Sequence, residues 1–385
     1  MFVNQTHLQY LLSSDDYRSP TQHQAELEKL FLPSWQFVGT RSELANSGDY
    51  LTIDLFGHPV QVRNFDGTFH AFENVCAHRH CLLTHERRGN TPTMACQYHG
   101  WEYNQEGLTG RIPDARCFRP WDRENSRIKK YRLENCGDLL FLALTDDPPS
   151  LKEYLGPVFE RNNRFFSTPA WRLLHVWEYE CPCNWKVPAE NTLESYHIPK
   201  LHPKSFGGIY PSEAASDHIL EPNYTQLDYD SGEDPRVDRW QGRIVRWLGG
   251  EKTNLYIHQH IHPNLIFVTT DIFSYVLTYL PTSPTTCKIN LRMYSFRGLK
   301  RGPLAKLLAL ASGRFAKNTM KQVQLEDWEV FADQQRGLEV SNHRGVIGTR
   351  EERIYVFQKY ILDQLGRELP THPDERKSES LTASK

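Results

Sequence analysis

The chain has 385 residues, and 45 Lys and Arg against 47 Asp and Glu leave a formal net charge of −2 with His neutral. Near-neutrality excludes a nucleic-acid binder that works by bulk charge, and no apolar run approaches the roughly 18 residues that span a bilayer. The length predicts two domains, or one large one, with enough interior for a core.

In chain order, Met1–Asp16 carries no Lys, no Arg and no long apolar block. Neither a secretory signal nor a transit peptide is expected there, and the protein is assigned to the cytoplasm. A polar stretch around Gln22–Phe31 has helical spacing, so residues 1–34 read as an N-terminal helical segment. Short runs rich in Val, Phe, Tyr and Thr follow at Trp35–Thr40, Tyr50–Phe56, His58–Asn64 and Phe69–Asn74, broken at Gly57, Asp66 and Gly67. With Met94–Tyr98, Glu102–Tyr103 and Leu139–Leu144 they predict a turn-rich all-β domain over 35–147. Asp146–Ser150 reads as a linker. Beyond it Trp171–Cys181 alternates as a strand and Trp185–His197 has helical spacing. Leu255–Leu265, Ser274–Pro281 and Lys288–Phe296 look like consecutive strands, Leu304–Gly337 like a long helix or a pair, and Glu352–Leu365 like another helix. Strands and helices in separate runs indicate an α+β fold, with an antiparallel sheet in a second domain over 148–365. Residues 366–385 read as a disordered tail.

Eight Cys and seventeen His remain to be explained. In a reducing compartment Cys reads as metal ligand or core filler. Cys76 and His78 form C-A-H, and Cys96 and His99 form C-Q-Y-H, with seventeen residues between His78 and Cys96. Two loops of one Cys and one His each can face each other across a two-iron cluster, thiolates on one iron and imidazoles on the other, as in a Rieske centre. A structural zinc site would also accept this donor set, but its usual spacing opens with C-x2-4-C.

The second constellation lies in N-W-K-V-P-A-E-N-T-L-E-S-Y-H-I-P-K-L-H-P, residues 184–203. His197 and His202 are five apart, about 140° of rotation on a regular helix. Pro199 and Pro203 predict that the helix ends or kinks between them, letting both imidazoles converge. A carboxylate would complete a 2-His-1-carboxylate triad for Fe(II). Asp327, in L-E-D-W, is favoured over Glu326 and Asp333, which would point to other faces. His258, His260 and His262 alternate on a predicted strand; they read as a polar sheet face or pocket wall rather than a metal trap.

The runs N-V-C-A-H-R-H and C-Q-Y-H-G-W-E-Y, with N-W-K, E-N, H-x4-H and the late E-D, resemble the α subunits of Rieske non-haem iron oxygenases. The resemblance implies an all-β [2Fe–2S] domain followed by a helix-grip-like catalytic domain. It implies cluster ligation by Cys76, His78, Cys96 and His99, and mononuclear iron on His197, His202 and Asp327. It places Glu194 as a bridge between His197 and His99 of another subunit, hence a homotrimer, with or without a small β subunit. Respiratory Rieske proteins join their ligand loops by a disulfide; here Cys81 has no partner in the second loop. Trp101 replaces their cluster-bonding Ser, which predicts a potential near about −150 mV. Cys81, Cys117, Cys136, Cys181, Cys183 and Cys287 are expected to be packed thiols.

The chain has no G-x-G-x-x-G fingerprint, so electrons from NAD(P)H must come through a separate flavin or iron–sulfur reductase or a ferredoxin. The expected reaction is hydroxylation of a small organic substrate with O2. Glu194, where ring-hydroxylating dioxygenases usually have Asp, tilts the resemblance toward the branch that oxidises quaternary ammonium compounds such as carnitine, choline or glycine betaine. The alternatives are an aromatic-ring dioxygenase forming a cis-dihydrodiol, and a Rieske electron-transfer protein without mononuclear iron. Tyr210, Trp240, Trp247, Tyr256, Phe273, Tyr275, Tyr279 and Tyr294 are the candidate pocket wall, able to cage a trimethylammonium group or stack on a ring.

Overall fold

A computed structural model describes residues 1–122, 124–205, 211–230 and 242–370. Tyr210, Trp240 and most of the tail expected over 366–385 lie outside the described residues. The chain divides into two compact units, Phe31–Thr168, and Met1–Leu30 together with the chain from Pro169 onward.

The first unit is built on a seven-stranded antiparallel sheet. Its order is Gln36–Thr40, Leu139–Ala143, Lys130–Cys136, Thr68–Glu73, His58–Phe65, Asp49–Leu55 and Arg88–Asn90. Leu139–Ala143 and Gln36–Thr40 are buried on both faces, as continuous apolar runs require. Lys130–Cys136 and Arg88–Asn90 escaped the sequence reading: the first carries four polar residues in seven, and the second is three residues with a central Gly. The segment Asp146–Ser150, read as a linker, ends inside this unit. Ser150 caps the helix Leu151–Leu155 and exchanges bonds with Glu153 in a capping box. The next helix, Phe159–Ser167, returns to the sheet, where Asn163 accepts from the Gly137 amide at 2.7 Å. The unit therefore closes at Thr168, not at 147.

The second unit is a seven-stranded antiparallel sheet in the order Trp171–Cys181, Thr286–Phe296, Phe273–Ser283, Leu265–Thr269, Leu255–Ile261, Tyr224–Asp230 and Ser216–Leu220. Registers such as Tyr179↔Ile289↔Tyr279 and His258↔Val268↔Tyr275 put Tyr179, Tyr256, His258, His260, Tyr275 and Tyr279 on one face. This inner face meets one continuous helix, Pro303–Val340, through Tyr179 against Trp328 at 4.9 Å. It meets the helix Glu352–Leu365 through His260 against Phe357 at 5.2 Å. Among the described residues no helix is long and apolar enough to cross a membrane.

The first thirty residues belong to this second unit rather than standing apart. Ser19 caps the helix Pro20–Glu26, whose last residue is buried. Glu26 accepts from Lys186 Nζ at 2.7 and 2.9 Å and from Trp185 Nε1 at 2.7 Å. Glu190, also buried, accepts from Tyr17 at 2.5 Å, Tyr10 at 2.8 Å and Gln358 at 2.9 Å. Each interior carboxylate is thereby saturated with donors, which buried charge demands.

Candidate metal centres

In the first unit, Cys76 and His78 lie on one loop, Cys96 and His99 on another, and the two loops share one plan. In each, the Cys amide donates to a carbonyl five residues on, Cys76 to Cys81 and Cys96 to Trp101, both at 2.8 Å. In each, the residue four places on donates back to the Cys carbonyl, His80 at 3.0 Å and Gly100 at 2.9 Å. That fourth position is left-handed in both, with φ of 58° at His80 and 70° at Gly100, a conformation Gly adopts freely and His only at a cost.

Cys76 and Cys96 are buried, and after burial the Cys96 thiol is among the groups that raise Cys76. The rings of His78 and His99 are 4.8 Å apart. His78 stacks on Trp101 at 4.7 Å, and its Nδ1 is buried with no partner among the described residues. Two thiols and two imidazoles, one with an orphaned nitrogen, fit the donor set of a Rieske cluster. Tyr103, in the quoted G-W-E-Y run but not singled out there, adds a contact. Its oxygen accepts from the Ala77 amide at 3.0 Å, leaving its hydrogen for Cys76 Sγ at 3.0 Å. Burial raises the Cys76 thiol and Tyr103 draws it back down. Cys81 is a free, half-buried thiol packed on this core. Cys117 is exposed rather than packed.

In the second unit, the helix begun at Lys186 ends at Thr192, short of the predicted His197. Glu194 then fixes a turn, accepting from the Tyr196 amide and, at 3.1 Å, from the His197 amide. Its other oxygen takes His197 Nδ1. A four-residue helix with Pro199 in its first turn follows, and His202 caps its end, so the two imidazoles converge as the prolines suggested. Their Nε2 atoms approach the same oxygen of Asp327, His202 at 3.0 Å and His197 at 3.8 Å. The donor atoms of His197, His202 and Asp327 all lie within 4.8 Å of one another, a set that fits one divalent metal.

Two residues around this trio went unassigned in the sequence. Asn191 donates to Asp327 Oδ1 at 3.1 Å. Glu326 does point off the face of Asp327, but it points at His202, accepting from Nδ1 at 2.7 Å and from Ser205 at 2.9 Å. Each imidazole is thus held on its Nδ1 side by a carboxylate, which aims its Nε2 inward. Burial alone would lower His202; Asp327 and Glu326 outweigh it and raise its pKa. Asp333 is exposed.

Tyr256, Tyr275 and Tyr279 line the inner face near the trio; after burial, Asp327 is among the charges that raise each phenol. Tyr294 lies on the opposite face, opposite Ser274, and Trp247 is 38% exposed. The His258, His260 and His262 rings belong to no metal-holding group among the described residues; His260 and His262 donate instead to the carbonyls of Pro263 and Pro222. Cys181, Cys183 and Cys287 form a second buried group, with Cys181 and Cys183 sulfurs 3.4 Å apart.

Comparison with known proteins gives this arrangement its relatives. Residues 34–132 match the Rieske [2Fe–2S] domain and residues 169–367 match the ring hydroxylating alpha subunit (catalytic domain). The chain is 31% identical over 229 residues to the terephthalate 1,2-dioxygenase terminal oxygenase component subunit alpha 2 of Comamonas sp, covering 53% of each chain. It is 30% identical over 221 residues to the glycine betaine monooxygenase oxygenase subunit of Chromohalobacter salexigens, covering 55% of this chain and 47% of that one. The chain spans about half the length of the curated relatives it matches. Its fold is that of the quaternary ammonium Rieske monooxygenase CntA, with a TM-score of 0.74 at 21% identity over 92% of this chain and 95% of that one. Naphthalene 1,2-dioxygenase from Rhodococcus sp. gives 0.72 at 17% identity, over 92% and 94%. With a Rieske domain ahead of a catalytic domain whose match takes in more than half its length, the chain belongs to the family of Rieske ring-hydroxylating oxygenase α subunits.

Proposed function

We propose that the protein is the terminal oxygenase of a multicomponent system, holding its cluster on Cys76, His78, Cys96 and His99 and its iron on His197, His202 and Asp327. The observation that carries this reading is the convergence of two imidazole Nε2 atoms on Asp327 while Glu194 and Glu326 hold both Nδ1 atoms. When bound, the cluster supplies single electrons and the iron supplies oxygen activation. Asn191 steadies Asp327. Glu194 sets the turn that presents His197 and, in this reading, also takes the ring N–H of His99 from a neighbouring copy in a homotrimer. Electrons come from NAD(P)H through a separate reductase or ferredoxin.

The substrate favoured is a quaternary ammonium compound, hydroxylated at an N-methyl or other aliphatic carbon. Glu194 in place of Asp, the glycine betaine and carnitine monooxygenases among the relatives and the buried tyrosines of the inner face support it. Dioxygenation of an aromatic ring is the second reading, supported by the terephthalate and anthranilate dioxygenases among the relatives. Product analysis under labelled O2 separates them: a cis-diol carrying both oxygens from one O2 eliminates the first. Glu194→Gln tests the link. Iron content and cluster spectrum should survive while turnover collapses, and normal turnover refutes the link.

A further inference from the structure

On the inner face of the catalytic sheet, Arg353 is completely buried, at 0% exposure. Its Nε donates to Thr225 Oγ1 at 3.1 Å, and its Nη2 to His258 Nδ1 at 2.9 Å and the His258 carbonyl at 3.4 Å. Thr225 is uncharged, and burial holds His258 well below the ordinary imidazole range, so it is neutral too. No carboxylate among the described residues pairs with the guanidinium. Glu352 beside it is engaged by His218 and Asn4; Asp228 acts on the guanidinium only through its charge and accepts from the Gln226 amide. Burial lowers the Arg353 pKa to about 9, which leaves it charged at neutral pH.

Two donors in this cluster have no acceptor among the described residues. Arg353 Nη1 is buried without a partner among the described residues. A guanidinium only donates, so His258 Nδ1 must accept and the ring proton sits on Nε2. That Nε2 is also buried without a partner. An unpaired buried charge is costly unless an anionic acceptor meets it. Tyr256 stands two residues before His258 on the same face, which also carries Tyr275 and Tyr279, and after burial the groups that shift its phenol are Tyr275, Arg353 and Asp327.

We propose that Arg353, its guanidinium held by His258 and Thr225, forms the carboxylate-binding end of the substrate pocket. The substrate is then an organic carboxylate, its anionic end on Arg353 and its oxidised carbon toward His197, His202 and Asp327. A planar two-oxygen anion suits the fork of a guanidinium better than a single-atom acceptor does. This rests on the oxygenase reading above and narrows both of its versions. Betaines such as L-carnitine and glycine betaine qualify, as do benzoates; choline and unsubstituted arenes do not.

The test is calorimetric titration of the anaerobic holoenzyme with paired probes, L-carnitine against choline and benzoate against benzamide. At least one carboxylate should bind about 10- to 100-fold more tightly than its partner. Arg353→Gln, checked for folding by its melting curve, should erase that preference, and Arg353→Lys should restore part of it. Equal binding within both pairs, or a carboxylate preference that survives in folded Arg353→Gln, overturns the inference. Should Arg353→Gln not fold, the preference of the unmodified enzyme decides alone. When the probes are then turned over with O2 and a surrogate reductase, Arg353-dependent binding with no oxygenated product from any probe that binds supports the anion site and overturns the oxygenase reading. Oxygenation of the uncharged probes, unaffected by Arg353→Gln, does the reverse.

Discussion

Glu326 and Asp327 are adjacent carboxylates with different tasks, and substitution should separate them. His202 is only 2% exposed on its side chain, so water cannot replace the acceptor that Glu326 offers its Nδ1–H. Removing that acceptor leaves a buried donor unsatisfied, at a cost of about 1–3 kcal/mol. The cost falls on the imidazole orientation that metal binding needs, so Glu326→Ala should weaken metal affinity roughly 10- to 100-fold. Glu326→Gln keeps an oxygen of the same reach without its charge. A neutral acceptor is about half as strong, so its loss should be near the square root of the alanine effect. Asp327→Ala removes a ligand and should abolish tight binding. The assay is anaerobic titration of iron-depleted protein with Fe(II) or Co(II) against a chromophoric chelator, with the cluster spectrum as internal control. Metal binding by Glu326→Ala at full affinity refutes the positioning role. A larger loss in Glu326→Ala than in Asp327→Ala means that the ligand has been misassigned.

Tyr103→Phe removes the hydroxyl 3.0 Å from Cys76 Sγ. A bond of about 0.5–1.5 kcal/mol that favours the reduced cluster converts to a fall of roughly 20–65 mV in a one-electron potential, read by a spectroelectrochemical titration; an unmoved potential refutes the contact. Glu26→Gln strands Lys186, whose side chain is 0% exposed, and should destabilise the catalytic unit by about 3–5 kcal/mol in chemical denaturation; a loss under 1 kcal/mol would show the ammonium finding another partner. Asn191→Ala should leave the cluster spectrum intact and lower metal affinity less than Glu326→Ala does, because the Asp327 side chain keeps 12% exposure against 2% for His202, so water can replace the amide.

The candidate metal-binding residues stood out in the sequence because ligand chemistry restricts residue type and spacing. C-x-H and C-x-x-H sit on tight loops, and the loop bonds show why that spacing works: one hairpin plan, used twice, with His at the second place after Cys in one and the third in the other. Asp327 was legible from its helix and its neighbour pair. Glu326, Asn191 and Tyr103 were not assigned roles, since a hydrogen-bond acceptor or donor reached across tens of residues leaves no local period. The strands Ser216–Leu220 and Tyr224–Asp230 also escaped; they mix charged and apolar residues because one edges the sheet and the other lies next to it. Asp146–Ser150 misled for a local reason. Asp-Asp-Pro-Pro has linker composition, but its Ser150 was serving as a helix cap. The strand Leu139–Ala143 and the helix Glu352–Leu365 follow their patterns closely, because burial decides them; Trp171–Cys181, half-buried along nearly all its length, was legible from its alternation.

The first thirty residues belong with the chain from Pro169 onward, so the cluster unit is an insertion in the catalytic unit. During synthesis Phe31–Thr168 is complete and free to fold while the catalytic unit still lacks its sheet and both long helices. Glu26 leaves the ribosome some 160 residues before Lys186; until then its carboxylate must stay in water. Tyr10 and Tyr17 wait still longer for Gln358. The catalytic unit therefore closes last, from both ends of the chain at once. Peptide-bond cleavage between Thr168 and Pro169 would leave the first thirty residues still joined to the rest of the catalytic unit through these buried carboxylates rather than through the backbone.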